Sequence, residues 1–468
     1  MRDSGIIRRS LGGAIRLRRV LLAGSALWLA HAALAGGACA MTLPEALAAT
    51  YNNHPTLLAQ RARLRESDEG VPQALSGWRP TVQFTGSAGV QRNEATNVQQ
   101  QTLTPRSLDL NITQPLYNGG RTVAATSQAE NTVRATRALT LATEQQVMLS
   151  AVTAYLDVVQ NQSVLELSIN NEQVLRRQLE ATQDRFRVGE VTRTDVSQAE
   201  ATLATATATR VQAEGTLENV RANFERFVGE PPGLLEPPTE RPALPTSRAE
   251  AASLAANNNP NVISAQFNEA AARDAVRVVR GQLLPQISIV GDIGKGQEIT
   301  TQIQNRTANT ASVIARLTVP LYEGGQIYSQ TRQANETVGE RRSQIDDTRR
   351  TAVQTAQSDW ETLQANRAQV ESLIASVKAN EVAYEGVQQE ALVGARTVLD
   401  VLTAEQTLFT SRVGLVQAQH NEAVAEFSVA ADIGRLTALD LNLPVQPYDA
   451  DQHYRAVRDK WIGFGASK

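Results

Sequence analysis

Two hydrophobic periods alternate along this chain. Apolar side chains take every second position at Val82, Phe84, Ala88 and Val90, with Gln83, Thr85, Ser87 and Gln91 between them. Leu108, Leu110 and Ile112 do the same against Ser107, Asp109, Asn111 and Thr113. A period of two sorts the apolar groups onto one face of an extended segment, predicting one-sided strands over about 81–91 and 106–114. Ile287, Ile289 and Ile293 against Ser288 and Asp292, then Val313, Ala315, Leu317 and Val319 against Ser312, Arg316 and Thr318, predict strands over about 286–296 and 311–319.

Around each strand pair the pattern is helical. Helices are predicted over about 44–77 and 249–282 ahead of the pairs, about 121–187 and 326–392 behind them, and about 191–228 and 396–433 after that. The stretch 121–187 contains no breaker, and at about 1.5 Å per residue it runs on the order of 100 Å, longer than an ordinary domain core. After a tip at Val188–Gly189 the chain returns with heptad spacing: Val196, Leu203, Leu217 and Phe224 on one row, Ala199, Ala206, Ala213, Val220 and Phe227 beside it, with Arg210 interrupting the first. A second tip at Val393–Gly394 leads into Val401, Leu408 and Leu415 beside Ala404, Ser411, Ala418 and Ala425. The small residues let long antiparallel helices approach closely.

This plan is written twice at a constant offset of 205 residues, the difference between Pro55 and Pro260, Pro115 and Pro320, Gly189 and Gly394, Asp195 and Asp400, and Gly229 and Gly434. Two equivalent repeats follow, 41–235 and 249–440, joined by a linker at 236–248 and followed by a tail at 441–468, with Pro-rich linker and tail both expected to be irregular chain lying against the helices. The turns Pro115-Leu116-Tyr117-Asn118-Gly119-Gly120 and Pro320-Leu321-Tyr322-Glu323-Gly324-Gly325 end a strand with a proline and enter a helix through paired glycines. Polar stretches at 92–104 and 297–310 are expected to be exposed hairpin loops.

Strands of about ten residues suffice to cross an outer membrane when tilted, but four cannot close into a barrel. Open edges in hydrocarbon would strand backbone polar groups, so copies of the chain must share one barrel. A hairpin puts Trp78 and Tyr117 at the same membrane edge, with Tyr322 equivalent in the second repeat; packing at a strand-to-helix joint explains the aromatics equally well. The predicted fold class is an α+β membrane protein built of two repeats of strand-strand plus long helical hairpin.

Charge and composition remove alternatives. Arg8, Arg9, Arg16, Arg18 and Arg19 precede an apolar run from Val20 to Ala35, so residues 1–40 are expected to be a secretory signal. Without its six Arg and one Asp the formal charge moves from −3 to −3 − 5 = −8, against a nucleic-acid partner. The single cysteine, Cys39, sits at the edge of that signal, where lipidation is the alternative to removal. His31, His54, His420 and His453 are scattered and the Gly-Gly turns lack the Lys and Ser/Thr of a phosphate loop, so no enzyme, metal or cofactor is expected. A periplasmic coiled-coil adaptor or scaffold without pore activity is the rival reading, and the one-sided strands argue against it.

The duplicated plan, the two Pro-Leu-Tyr-x-Gly-Gly turns and the tip Val393-Gly394-Ala395-Arg396-Thr397-Val398-Leu399-Asp400-Val401-Leu402 resemble the TolC family of outer-membrane efflux proteins over about 41–440. The resemblance implies a homotrimer in the outer membrane, with a 12-stranded β-barrel of four strands per chain and a periplasmic α-helical barrel. Its tips, Val188, Gly189, Val393 and Gly394 here, would meet a periplasmic adaptor (membrane fusion) protein. An inner-membrane ABC or proton-driven transporter would supply the energy to a passive exit channel serving type I secretion or multidrug efflux. Type I secretion with shared efflux duty is the reading favoured by that resemblance. At the mouth it implies that Asp400 belongs to a carboxylate ring and that Arg396 latches to Thr194 or Asp195. Thr403 stands where a second ring carboxylate is usual and Ala391 where a latch tyrosine is usual, so this chain departs from the family pattern at both positions. Asp195 and Asp400 are alternatively plain helix caps, and the two roles are compatible.

Overall fold

The computed structural model describes residues 41–95, 98–238, 241–300 and 306–465; the expected signal and Cys39 lie outside the described residues. Five strands form one antiparallel sheet: β1 (Thr81–Ala88), β2 (Gln91–Ala95), β3 (Val98–Asn118), β4 (Gln286–Thr300) and β5 (Arg306–Thr318), in the order β1-β3-β4-β5 with β2 also on β3. β1 and β2 are one strand interrupted. Ala88 pairs with Arg106 and Gln91 with Leu103 in the same register, and between them Gly89 N–H donates to Pro105 O at 3.0 Å. Pro105 has no N–H to return, so the ladder breaks there.

Two expectations about the sheet need correction. The polar stretches at 92–104 and 297–310 are largely strand, because β2 and β3 continue to Ala95 and from Val98, and β4 and β5 to Thr300 and from Arg306. Ladder bonds belong to the backbone and persist after the apolar alternation of the side chains has ended. Pro115 does not end its strand: β3 runs on to Asn118, and its register against β4 slips between Pro115 and Tyr117, a bulge that accommodates the missing N–H. Pro320, by contrast, lies beyond the end of β5 at Thr318.

Three short helices replace the predicted 44–77: α1 (Leu43–Asn53), α2 (Pro55–Asp68) and α3 (Gly70–Leu75), followed by a 3-10 turn at Ser76–Trp78. Its counterpart at 249–282 is α6 (Arg248–Asn258), α7 (Pro260–Arg280) and a 3-10 turn at Gly281–Leu283. The breaks fall at His54 and Asn259, extended at ψ 122° and 124°, since the ring of the following proline bars the helical region. The long helices are α4 (Arg121–Arg187), α5 (Arg193–Val228), α8 (Gln326–Leu392) and α9 (Val398–Asp432). The tail is not wholly irregular, since it forms α10 (Gln452–Val457).

The main core lies midway along the helices. Leu43, Leu47 and Tyr51 of α1 pack with Met148, Val152 and Tyr155 of α4, Leu217 and Phe224 of α5, Phe427 of α9, Leu436 just after α9 and Leu443 of the tail. Tyr155 Oη donates to Met41 O and Glu236 O at 3.0 and 2.8 Å, tying the start of the described chain and the linker to this core. A second cluster nearer the tips joins the two hairpins through Leu175, Ala199 and Ala206 against Val398 and Leu402. Between them the interrupted heptad row is explained: Arg210 Nε donates to Glu172 Oε2 at 2.5 Å, and Glu172, only 6% exposed, also accepts from Thr207 Oγ1 and Arg176 Nη2. One buried carboxylate is thus paired rather than stranded.

Candidate functional site: the sheet faces and the helical tips

The register sorts the sheet into two surfaces. Val82 pairs with Ile112 and Phe84 with Leu110, which pairs in turn with Ile293; Ile287 pairs with Leu317 and Ile289 with Ala315. These side chains share one face, and Val82, Phe84, Ile293 and Leu317 are each more than 60% exposed on it. The other face carries Ser87, Ser107, Asp109, Asn111, Asp292, Ser312 and Arg316, with Asn111 opposite Asp292 and Ser87 Oγ 2.9 Å from Ser107 Oγ. Gly294 is small because Asp109 lies over it: a Cβ there would fall 2.5 Å from Asp109 Oδ1 and 2.8 Å from Thr310 Oγ1. Asp109, Asp292 and Arg316 were not singled out from the sequence as site residues, although the alternation already put them opposite the apolar groups.

Both strand-to-helix turns use the left-handed region, with φ of 70° and 73° at Gly119 and Gly120 and 61° and 80° at Gly324 and Gly325. Their surroundings differ. A Cβ on Gly119 would fall 2.1 Å from Gly281 O, because the second repeat packs on this turn, whereas nothing lies within 4 Å of the same position at Gly324. Leu116 and Tyr117 are 49% and 40% exposed, and their equivalents Leu321 and Tyr322 are 93% and 80% exposed.

At the tips each long helix ends in a Schellman turn. Gly189 N–H donates to Phe186 O and Glu190 N–H to Arg185 O; Gly394 N–H donates to Ala391 O and Ala395 N–H to Glu390 O. Val188 and Val393 project at 72% and 82% exposure. The returning helices open with capping boxes. Asp195 Oδ2 accepts from Thr192 N–H and Oγ1 at 2.8 and 2.7 Å, and Asp400 Oδ2 from Thr397 N–H and Oγ1 at 2.9 and 2.8 Å. The cap residues are therefore Thr192 and Thr397, with Asp195 and Asp400 three positions in, which corrects the simple reading of the two aspartates as N-caps. Asp195 is held below the usual carboxylate range by the Thr192 hydroxyl and then its N–H, and Asp400 by the Thr397 N–H and then its hydroxyl, with Arg396 adding a smaller attraction.

Within the chain Arg396 does not reach Asp195 or Thr194. Its Nε donates to Glu390 Oε2 at 2.8 Å across its own tip, as Arg185 Nε does to Glu190 Oε2 at 3.1 Å across the other. Thr194 is exposed, and Thr403 turns its hydroxyl back to Leu399 O at 2.8 Å. Ala391 is buried at the tip. Further up, burial and then the charge of Glu405 on α9 push the phenol of Tyr384 on α8 up to about 12. The three histidines among the described residues each have structural work: His420 Nε2 lies 2.8 Å from Asp157 Oδ1, bridging the repeats, and His453 Nδ1 lies 3.0 Å from Asp68 Oδ2, while His54 stacks on Phe227. Among the described residues no group of three or more His, Cys, Asp or Glu side chains is placed to hold a metal ion, and no helix is long and apolar enough to cross a membrane.

A sheet with one apolar face, continued by two helical hairpins whose longer arms run about 100 Å, defines the class: a strand sheet on a long helical bundle. The sequence pattern of the outer membrane efflux protein family matches residues 46–230 and 251–435, one match per repeat, and the chain belongs to that family. It is 34% identical over 443 residues, 94% of this chain and 96% of the relative, to the outer membrane efflux protein BepC of Brucella suis. Identity to the alkaline protease secretion protein AprF of Pseudomonas aeruginosa is 26% over 64% of this chain and 63% of that one. The Campylobacter jejuni CmeC outer membrane channel has the same fold, with a TM-score of 0.74 at 16% identity over 89% of each chain. The protein is an efflux channel of the Gram-negative outer membrane, and the scaffold reading is set aside.

Proposed function

We propose that this chain is one subunit of a closed homotrimeric channel in which β5 of one copy pairs with β1 of the next, giving a 12-stranded barrel on a helical tunnel. The observation that carries the reading is the sheet itself: four strands' worth of apolar side chains in register on one face, with β1 and β5 unpaired at its two edges. Hydrocarbon does not tolerate such edges. The repeat supplies the missing contact. The joint between repeats pairs Leu110 with Ile293 and Ile112 with Gly291. Shifted by the 205-residue offset in opposite senses, it puts Ala315 opposite Ala88, and Leu317 opposite Gly86, of the next copy. Both sets lie on the apolar face, so the derived register is consistent with a single lipid-facing belt. It also gives the open turn at Gly324 the cover that Gly119 already has.

The polar face then lines the pore, with Asp109, Asp292 and Arg316 among its charged groups. At the other end the projecting valines, with Gly189 and Gly394, are the docking points for a periplasmic adaptor, which couples the channel to an ABC or proton-driven transporter of the inner membrane. Resemblance to a protease secretion protein and to an efflux protein supports a tripartite system that exports protein by the type I route and shares in efflux of small molecules. Asp400 contributes to a carboxylate ring at the mouth, and Arg396 exchanges Glu390 for a partner on the neighbouring hairpin as the mouth closes. Native mass measurement of detergent-extracted outer membranes, followed by conductance in planar bilayers, tests the core of this: a trimer with discrete channel openings is expected, and a water-soluble monomer without conductance would end it.

A further inference from the structure

The tail leaves an apolar segment exposed at the foot of the sheet. α10 is fastened to the first repeat by His453 on the buried Asp68, by Arg137 on Asp451 at 2.5 Å, and by Tyr454 Oη, which donates to Glu130 Oε1 at 3.3 Å. Beyond it, Arg79 Nη1 donates to Lys460 O at 2.8 Å, and the Arg79 guanidinium lies 5.1 Å from the centre of the Trp461 ring. Arg79 stands just before β1, and Trp78 O accepts from Gln114 Nε2 at 2.9 Å, so the tail meets the sheet at the level of the Pro115–Tyr117 turn. There Trp461, Ile462 and Phe464 are 65%, 90% and 110% exposed.

We infer that Trp461–Phe464 is a membrane anchor lying in the headgroup region of the phospholipid leaflet that faces the periplasm. This rests on the barrel reading above. Three observations select lipid. The segment is held at the foot of the sheet by Arg79, and the first apolar rows, Val82 with Ile112 and Phe84 with Leu110, begin just beyond that residue. Trp461 is the residue type favoured where hydrocarbon meets headgroups, and Arg79 and Lys460 place two cations at the same level, complementary to phosphate. The neighbouring copy is the competing occupant, since its Leu321 and Tyr322 come to this edge. Yet the equivalent joint inside the chain, where Gly119 packs on Gly281, closes with no tail-like segment in it. The joint between copies therefore has no vacancy for one.

The test uses the full-length oligomer carrying Trp28→Phe, Trp78→Phe and Trp360→Phe, so that Trp461 is the one indole left of four. It is reconstituted in phosphatidylglycerol-containing vesicles with and without bromine on the acyl chains. Bromine near the headgroups is expected to lower Trp461 emission roughly twofold, and bromine near the chain ends to lower it less. Emission indifferent to bromine would overturn the anchor. If those replacements prevent folding, an environment-sensitive dye at Ile462→Cys in a Cys39→Ser background reads the same point, with blue-shifted emission in vesicles expected and a water-like spectrum contradicting it. Conductance of the same vesicles separates the two levels: channel openings with Trp461 in water sink the anchor alone, whereas absence of openings counts against the barrel.

Discussion

Within the chain, Asp400 and Arg396 do nothing more than start one helix and brace the turn before it. The capping box occupies one oxygen of Asp400, and Glu390 occupies Arg396. Neither arrangement opposes a second role. The charge of Asp400 persists, since its carboxyl is held below its ordinary range, and an exposed ion pair such as Arg396–Glu390 is worth little and exchanges readily. Asp400→Asn is therefore expected to reduce cation preference, seen as a smaller reversal potential under a salt gradient in single-channel recordings, and unchanged selectivity would remove Asp400 from the ring. Arg396→Ser is expected to raise conductance and antibiotic leakage, with wild-type values for both rejecting the latch. At this scale the sequence pointed to tip residues but not to the partners they take within the chain. Nothing in Arg396 itself says that it folds back on Glu390 rather than across to Asp195, because the choice depends on a turn whose geometry is set by Gly394.

Among the elements, the joint between α8 and α9 carries a pH dependence. Asp359 and Asp432 face each other there, Asp432 O also accepting from Asn259 Nδ2 at 3.2 Å. Burial, and then the charge of Asp359, pushes Asp432 from 3.8 up to about 8, so the folded pair holds a proton that the unfolded chain releases. Stability from this contact is fully present below about pH 4 and is lost as pH rises through about 8, because the folded state binds the extra proton across that window. Thermal unfolding of Asp432→Asn should lose less between pH 6 and pH 9 than wild type, by several degrees; parallel pH profiles would exclude the pair as the source. No sequence pattern announced this contact, since its members lie on different helices and each reads as a solvated face. The long helices were legible for the opposite reason: their bounds follow from local features, the paired glycines at one end and a Val-Gly turn at the other. The short ones were misread as continuous because helical periodicity runs through His54 and Asn259 and only the proline after each reveals the break. Pro105 hid the interruption between β1 and β2, which is a property of the strand opposite.

For the whole molecule, the alternation at Phe84, Leu110, Ile293 and Leu317 made the apolar face readable before any register was known, and the offset made the two halves readable as equivalents. What the sequence did not reveal is where the tail goes, because Trp461, Ile462 and Phe464 acquire meaning only through the contact with Arg79. The central claim is that a barrel exists only between copies, in the register inherited from the joint within each chain. Cysteines at Ala88 and Ala315, placed directly opposite one another on neighbouring copies, lie within the roughly 4.5–5.5 Å Cα separation that a disulfide bridges. Oxidation of outer membranes bearing Ala88→Cys and Ala315→Cys together, in a Cys39→Ser background, should give a covalent ladder that ends at the trimer, with neither single variant producing it. A chain that stays monomeric on a denaturing gel, or a ladder that continues beyond three, would contradict the account.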